Sequence, residues 1–362
     1  MGVGGSCQVC LMASTPHSPP ELPLDRPGAL IAALPAVLGF VPEKSIVIVT
    51  FADDELGAVL RADLAEPSQT RIPHLAELAA SSGAEAVVAV IVDDEGVDCL
   101  MCAGEHRESV RLLAAELGRW GIELTGAHLV DAIAAGGRWR CADGCGAAGQ
   151  VDDPNASAFA AAAVLDGRRL YARRDELVRV VATADQAHTA ALRRAIDAAG
   201  PLDAQRPPVC ARGDIEHALT CAEQLAGGSG LRDEQTARLA LSLVDTRVRD
   251  TLYALAVGDR AGVAEALWAD LSRRLPTPWR VEALVLLAFS AYARGDGPLA
   301  GIALDEALQC RPEHRMASML DQALQSGLRP EQIRDLARTG YRLAAQLGVQ
   351  LPPRLSFGRR AG

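Results

Sequence analysis

The sequence is poor in lysine and lacks long apolar runs. Lys44 is its only lysine, and every other basic residue apart from histidine is arginine. No apolar run reaches the ~18 residues of a membrane-spanning helix, so we expect no such helix. The first 20 residues contain no Lys or Arg, unlike the charged start of a secretory signal. We therefore predict a disordered leader over residues 1–23 and a cytoplasmic location.

Common site motifs are also missing. The chain has no G-x-x-x-x-G-K-[ST] phosphate-binding loop and no G-x-S-x-G motif of the α/β-hydrolase type. Its net charge of -10 disfavours nucleic acid as a partner, because binding a polyanion needs a basic surface. The number of cysteines, nine, is odd. Together with the absent secretory signal, this count favours reduced thiols over a disulfide framework.

The most informative stretch runs from Pro27 to Phe51. Its first half carries apolar residues at helical spacing, followed by Gly39 as a left-handed stop and Pro42 as a break. Its second half, Ile46–Val49, is an unbroken β-branched run. A strand with one solvent-exposed face would alternate, so this run predicts a central strand covered on both faces.

Further strands and helices follow in alternation. Apolar strand patterns occupy 57–64, 86–92, 122–133 and 138–141, and helical patterns occupy 73–82 and 105–120. The strand at 57–64 is expected to form a hairpin with the strand before it. We therefore predict that residues 24–150 form an α/β domain with a mixed sheet covered by helices.

Strand patterns end after this domain. Residues 151–230 are predicted to be a helical connector with Pro and Gly linkers, 231–348 an all-α domain, and 349–362 a flexible tail. Within the helical domain, Leu287–Pro312 has small residues at fixed helical spacing and a Gly-Asp turn. This segment resembles a tetratricopeptide helical hairpin, and 258–276 repeats part of its pattern.

Two cysteine pairs have spacings that suit chemistry. Cys99 and Cys102 form C-x-x-C between a predicted strand and helix, and Cys141 and Cys145 form C-x-x-x-C. Three interpretations stay open: incidental thiols, zinc bound by Cys141 and Cys145 with another pair, or a redox pair at the start of a helix. No cofactor is predicted, and zinc is kept as the alternative.

Charged residues near strand ends give the second candidate site. Asp93 and Asp94 follow a buried strand, where open α/β sheets place ligands, and Arg61 and Asp63 alternate on the hairpin strand. Paired carboxylates could bind a cation or divide acid and base roles. An exposed acidic turn and an intramolecular ion pair are the structural alternatives.

Several segments carry a family resemblance. Leu30–Phe51, Leu60–Leu64, Arg138–Cys145, Ser157–Arg168 and Ser290–Leu308 resemble the family catalogued as domain of unknown function 4192. The resemblance extends over about residues 24–328. It implies an actinobacterial, cytoplasmic protein, and it transfers no catalytic residue.

Two functional hypotheses follow. The first is a non-enzymatic interaction or regulatory module, in which the C-terminal helical hairpins bind a protein partner or a second copy of the chain. The alternative is an enzyme or small-ligand-binding domain with its site at one edge of the N-terminal sheet. That site would use Arg61, Asp63, Asp93 and Asp94, with metal at the Cys141/Cys145 loop. The sequence leaves both hypotheses open.

Overall fold

The computed structural model describes residues 8–11, 25–52, 55–165, 170–183, 186–203, 205–326, 328 and 330–354. The chain divides into two compact units. The first comprises Met1–Glu176 with Leu324–Gly327, and the second comprises Leu177–Ala323 with Leu328–Gly362. No helix among the described residues has the length and apolar character needed to cross a membrane.

A single sheet of seven strands organises the first unit. The strands are β1 (Gln8–Leu11), β2 (Ser45–Ala52), β3 (Glu55–Asp63), β4 (Ala86–Val92), β5 (Glu123–Val130), β6 (Arg138–Cys141) and β7 (Ala148–Gln150). Their order across the sheet is β1-β3-β2-β4-β5-β6-β7. Strands β4 and β5 pair in parallel, and the other neighbours pair antiparallel. The predicted mixed sheet is confirmed.

Strand β2 lies between β3 and β4, and Ile46–Val49 is fully buried. The prediction of a central strand from its unbroken β-branched run is therefore confirmed. The 57–64 hairpin is confirmed as well, because β3 pairs antiparallel with β2. Strand β1 (Gln8–Leu11) pairs with β3. The prediction of a disordered leader over residues 1–23 is therefore wrong for these four residues. The rest of residues 1–23 lies outside the described residues.

Helices cover this sheet. They are α1 (Pro27–Leu38), α2 (Ser68–Ser81) and α3 (Leu100–Arg119), and a further helix, α4 (Ala158–Leu165), packs against α1. Side chains from α2 and α3 form one core cluster with alternate residues of β2, β3, β4 and β5. Helix α1 ends at Gly39, whose φ of 75° is left-handed and whose N–H donates to the Pro35 carbonyl. This ending matches the stop predicted from the sequence.

The rest of the chain is helical. After α5 (Arg174–Arg179), the helices are α6 (Gln186–Ala199), α7 (Pro208–Ala226), α8 (Asp233–Ser242), α9 (Thr246–Leu252), α10 (Ala261–Arg274), α11 (Arg280–Arg294), α12 (Gly297–Cys310), α13 (Arg315–Gln325) and α14 (Pro330–Leu347). A short 3-10 helix occupies Tyr253–Val257. Among the described residues after Gln150 there is no β-strand, and β-pairing is limited to isolated bridges. The predicted all-α region is confirmed.

Helix α11 lies at the centre of the second unit. All of its residues from Arg280 to Ala293 are buried, and it packs against α10, α12, α14 and the 3-10 helix. It forms the predicted hairpin with α12, with Gly295 left-handed at the turn (φ 85°). A helix covered on all sides offers no free surface to a partner. Any partner-binding surface of this unit must therefore lie on other elements.

Candidate functional site

A buried carboxylate lies at the C-terminal end of β4. Asp93 is 7% exposed and directly follows the last residue of the strand. Its Oδ1 lies 2.8 Å from Lys44 Nζ, and its Oδ2 lies 2.6 Å from His106 Nε2. The Glu95 N–H also donates to Oδ1, at 3.2 Å. The carboxylate thus bridges two basic side chains at one end of the sheet.

The fold brings these three side chains together from distant parts of the chain. Ile46 pairs with Ile91 in the antiparallel register, so Lys44, just before β2, lies opposite Asp93. Lys44 has a φ of 41°, an uncommon conformation for a residue other than glycine. His106 comes from α3, which follows the loop after β4.

Electrostatics favour the charged form of this cluster. Burial opposes ionisation of Asp93, but hydrogen bonds from Lys44 and His106 outweigh it and lower the pKa of the carboxyl group. The hydrogen bonds to Asp93 and Asp94 raise the pKa of Lys44. Asp94 lies 2.5 Å from Lys44 Nζ and is 71% exposed in its side chain. The cluster therefore holds a charged pair, with the partly buried His106 as its neighbour.

The predicted four-residue site is divided between the two faces of the sheet. Leu60 and Ala62 face the α2/α3 core cluster, so Arg61 and Asp63 point to the opposite face. Asp93 contacts α3 and therefore lies on the α2/α3 face. Arg61 and Asp63 form a two-pronged ion pair, with both N–O distances within 2.9 Å. The structure does not bring these four residues into one site.

The Cys99–Cys102 pair begins α3. Cys99 is the residue just before the helix, and its Sγ accepts the Cys102 N–H at 3.4 Å. This backbone hydrogen bond lowers the pKa of the Cys99 thiol. The hydrogen bond to Cys99, partial burial and the nearby charge of Asp93 raise the pKa of Cys102 to about 11. The two thiols of the pair therefore differ, and the lower pKa belongs to Cys99.

The Cys141–Cys145 pair lies in the β6–β7 loop. The ligand atoms of Cys141, Asp143 and Cys145 all lie within 4.8 Å of one another. The Cys99 pair is not part of this cluster. Residues 144–149 have the G-x-G-x-x-G spacing, but they lead into β7 and not into a helix. The loop therefore lacks the helix N-terminus that a dinucleotide site needs.

The second unit contains a cleft of about 730 Å³. It lies between the end of α6, the segment before α7 and the α8–α9 turn. Its apolar walls come from Ile196, Pro201, Leu202, Leu241, Val244 and Trp279, and its charged lining comes from Asp197, Asp203, Arg206, Asp245 and Arg247. This volume is within the usual range for ligand sites. Sequence reasoning missed the cleft because its lining comes from separate short segments.

Sequence reasoning also missed three polar residues of these clusters. Lys44 and His106 were visible as residues near element ends, but their contact with Asp93 depends on the pairing of distant segments. Asp143 was overlooked although it lies midway between Cys141 and Cys145. A search for any ligating residue type within the loop, and not for cysteine alone, would have found it.

The fold defines a two-unit protein in which a mixed α/β sheet unit is followed by an all-helical unit. The chain belongs to the family described as Domain of unknown function (DUF4192), whose sequence model matches residues 27–331. The family membership predicted from the sequence segments is thus confirmed. Neither the curated proteins nor the solved structures include a significant match to the chain.

Proposed function

We propose that this protein is a binding module that holds a short apolar peptide segment of a partner protein in the cleft of its helical unit. The observation that carries this proposal is the cleft of about 730 Å³ with Trp279 in its wall. Val244 and Leu202 line it and are 58% and 38% exposed. An exposed apolar concavity with a few charged groups is typical of a recognition site.

The charges of the cleft indicate which peptide it would take. Arg206 donates to both Asp214 and Asp245, at 2.5 and 2.6 Å, and Arg247 donates to Asp245 at 2.8 Å. These guanidinium groups are already neutralised, so they are poor receptors for an anion. Asp197 and Asp203 give the lining three carboxylates against two guanidinium groups. We infer an apolar segment flanked by basic residues.

Selection from a random peptide display library on the full-length protein tests this proposal. Wild type is expected to enrich peptides with an apolar centre flanked by Lys or Arg. Val244→Glu places a charge in the apolar wall. It is expected to weaken the binding of the selected peptides by at least tenfold, since burying an unpaired charge is costly. Fluorescence anisotropy of one labelled selected peptide measures the affinity.

Leu336→Glu is the matched control. Leu336 lies on α14 outside the cleft and is 51% exposed, so this variant should bind like wild type. Equal loss of binding in both variants would contradict the proposal, because it would indicate a general effect of added charge. Enrichment of acidic peptides would also contradict the proposal. So would a selection that yields no peptide whose binding depends on Val244.

The Cys99–Cys102 pair favours a second candidate function, thiol–disulfide exchange. The Cys99 thiolate would attack a small disulfide RSSR, forming a mixed disulfide and releasing one thiolate. Cys102 would lose its proton and attack the Cys99 sulfur, which releases the second thiolate and leaves a Cys99–Cys102 disulfide. The protein would thereby be oxidised and RSSR reduced to two RSH. The support for this function is the N–H to sulfur contact at the start of α3.

Glutathione disulfide is a suitable probe for this exchange. Reduced wild type is expected to form a Cys99–Cys102 disulfide that peptide mass mapping detects. Cys102→Ser should trap glutathione on Cys99, whereas Cys99→Ser should slow the reaction at this motif by at least about tenfold, because the activated thiolate is lost. Cys210→Ser, in the second unit, is the control and should react like wild type. A Cys102→Ser protein without adduct on Cys99 would rule out this function.

A further inference from the structure

We propose that Cys141, Asp143 and Cys145 form a binding site for a thiophilic divalent cation of the zinc class, with His128 as the fourth ligand. Cys141 Sγ and Asp143 Oδ1 are 2.7 Å apart, and the three ligand atoms lie within 4.8 Å of one another. Two thiolates, one carboxylate and one imidazole are a ligand set that zinc accepts in a tetrahedron.

The loop is held in shape by its backbone before any cation binds. The Cys141 N–H donates to the Ala147 carbonyl at 2.7 Å, which closes the loop. The Cys145 N–H donates to Asp143 Oδ1 at 2.8 Å. Gly144 and Gly146 have φ values of 96° and 84°, a conformation that glycine adopts without strain. The chain therefore turns tightly around the three ligand atoms.

His128, on the neighbouring strand, is the candidate for the remaining position, and its ring nitrogens lie outside the group of ligand atoms within 4.8 Å. It lies directly opposite Cys141 in the β5–β6 pair, so the two side chains share a face of the sheet. Its Nδ1 is buried and has no hydrogen-bond partner among the described residues. Its ring meets the Trp139 ring edge-on, at 5.3 Å between centroids. A buried nitrogen without a partner beside a thiol cluster is chemically suited to ligation.

Cation binding would change the protonation of the cluster. Thiolates and not thiols ligate a cation of this class, so binding would release the thiol protons of Cys141 and Cys145. The nearby Asp143 charge would balance part of the charge of the cation.

Cobalt(II) titration of the reduced full-length protein tests the site. One equivalent is expected to produce the thiolate-to-cobalt charge-transfer band in the near ultraviolet and the intense visible bands of tetrahedral cobalt. Zinc should then displace cobalt and remove both. Cys145→Ser is expected to weaken cobalt binding by more than ~100-fold, since a direct ligand matters more than an outer partner. Cys145 is exposed, so this variant leaves the core unchanged.

Two further variants complete the test. Cys99→Ser with Cys102→Ser removes the other cysteine pair and should leave the cobalt spectrum unchanged. His128→Phe keeps the ring packing and is expected to lower cobalt affinity by at least about tenfold. Cobalt bands that persist in Cys145→Ser, or that depend on Cys99 and Cys102 instead, would overturn the proposal. Unchanged affinity in His128→Phe would remove His128 from the ligand set.

Discussion

Replacement of Glu282 by alanine is expected to lower the free energy of unfolding of the second unit by about 3–5 kcal/mol. Glu282 is 5% exposed on the central helix α11. Its carboxylate lies 3.3 Å from Arg249 Nη1, 3.4 Å from Arg311 Nη1 and 3.3 Å from His314 Nε2. Without it, three basic groups would face one another around a buried position. The loss is therefore much larger than that of a surface ion pair.

The expected effect of Glu282→Ala depends on pH. Burial would raise the pKa of Glu282, but its hydrogen bond with His314 and the charges of Arg249 and Arg311 lower it. A carboxyl group with a lowered folded-state pKa stabilises the protein above its unfolded pKa of ~4.3. That contribution is lost as pH falls through the folded value. The difference between wild type and variant should therefore be full at pH 7 and shrink below about pH 4.

Hydrogen exchange followed by mass spectrometry measures this loss for each unit separately. Slowly exchanging amides of α11 should exchange faster in Glu282→Ala, and those of β2 should be unaffected. Glu313→Ala is the control: Glu313 is exposed, and its loss should change stability by no more than about 0.5 kcal/mol. If the amides of α11 exchange no faster in Glu282→Ala than in wild type, the predicted role of this carboxylate is wrong.

The elements were predictable where the local pattern determines them. The β-branched run Ile46–Val49 and the glycine stop at Gly39 indicated a buried strand and a helix end, and the structure contains both. Strand β7 was missed because Ala148–Gln150 has no apolar or β-branched pattern. It forms by pairing with β6, a tertiary contact that overrides weak local propensity.

The candidate sites were less predictable because they depend on which face a side chain takes. Strands buried on both faces show no alternation of polar and apolar residues. The sequence therefore could not reveal that Asp93 faces α3 while Arg61 faces the other side. The partners of Glu282 similarly come from Arg249, Arg311 and His314. Only the packing of α11 in the centre of its unit makes these separate segments neighbours.

Replacement of Asp93 by alanine is expected to cost the first unit about 2–4 kcal/mol. The variant leaves Lys44 and His106 without their shared carboxylate, and His106 is only 12% exposed in its side chain. Since the pKa of Asp93 is lowered in the folded protein, this stabilisation is present above its unfolded pKa of ~3.9 and is lost as pH falls through the folded value. The stability difference should therefore be full at pH 7 and decline below about pH 4.

The Asp93→Ala variant also tests whether the buried carboxylate affects the Cys99–Cys102 pair. The negative charge of Asp93 contributes to the raised pKa of Cys102, so its removal should lower that pKa. The pH dependence of Cys102 alkylation in a Cys99→Ser background measures the change. Asp94→Ala is the control, because Asp94 is 71% exposed in its side chain. Asp94→Ala should lower the free energy of unfolding by about 0.5 kcal/mol and should change the pKa of Cys102 only slightly. Equal effects of Asp93→Ala and Asp94→Ala would contradict this prediction. They would mean that the buried position of Asp93 at this end of the sheet gives its carboxylate no special role.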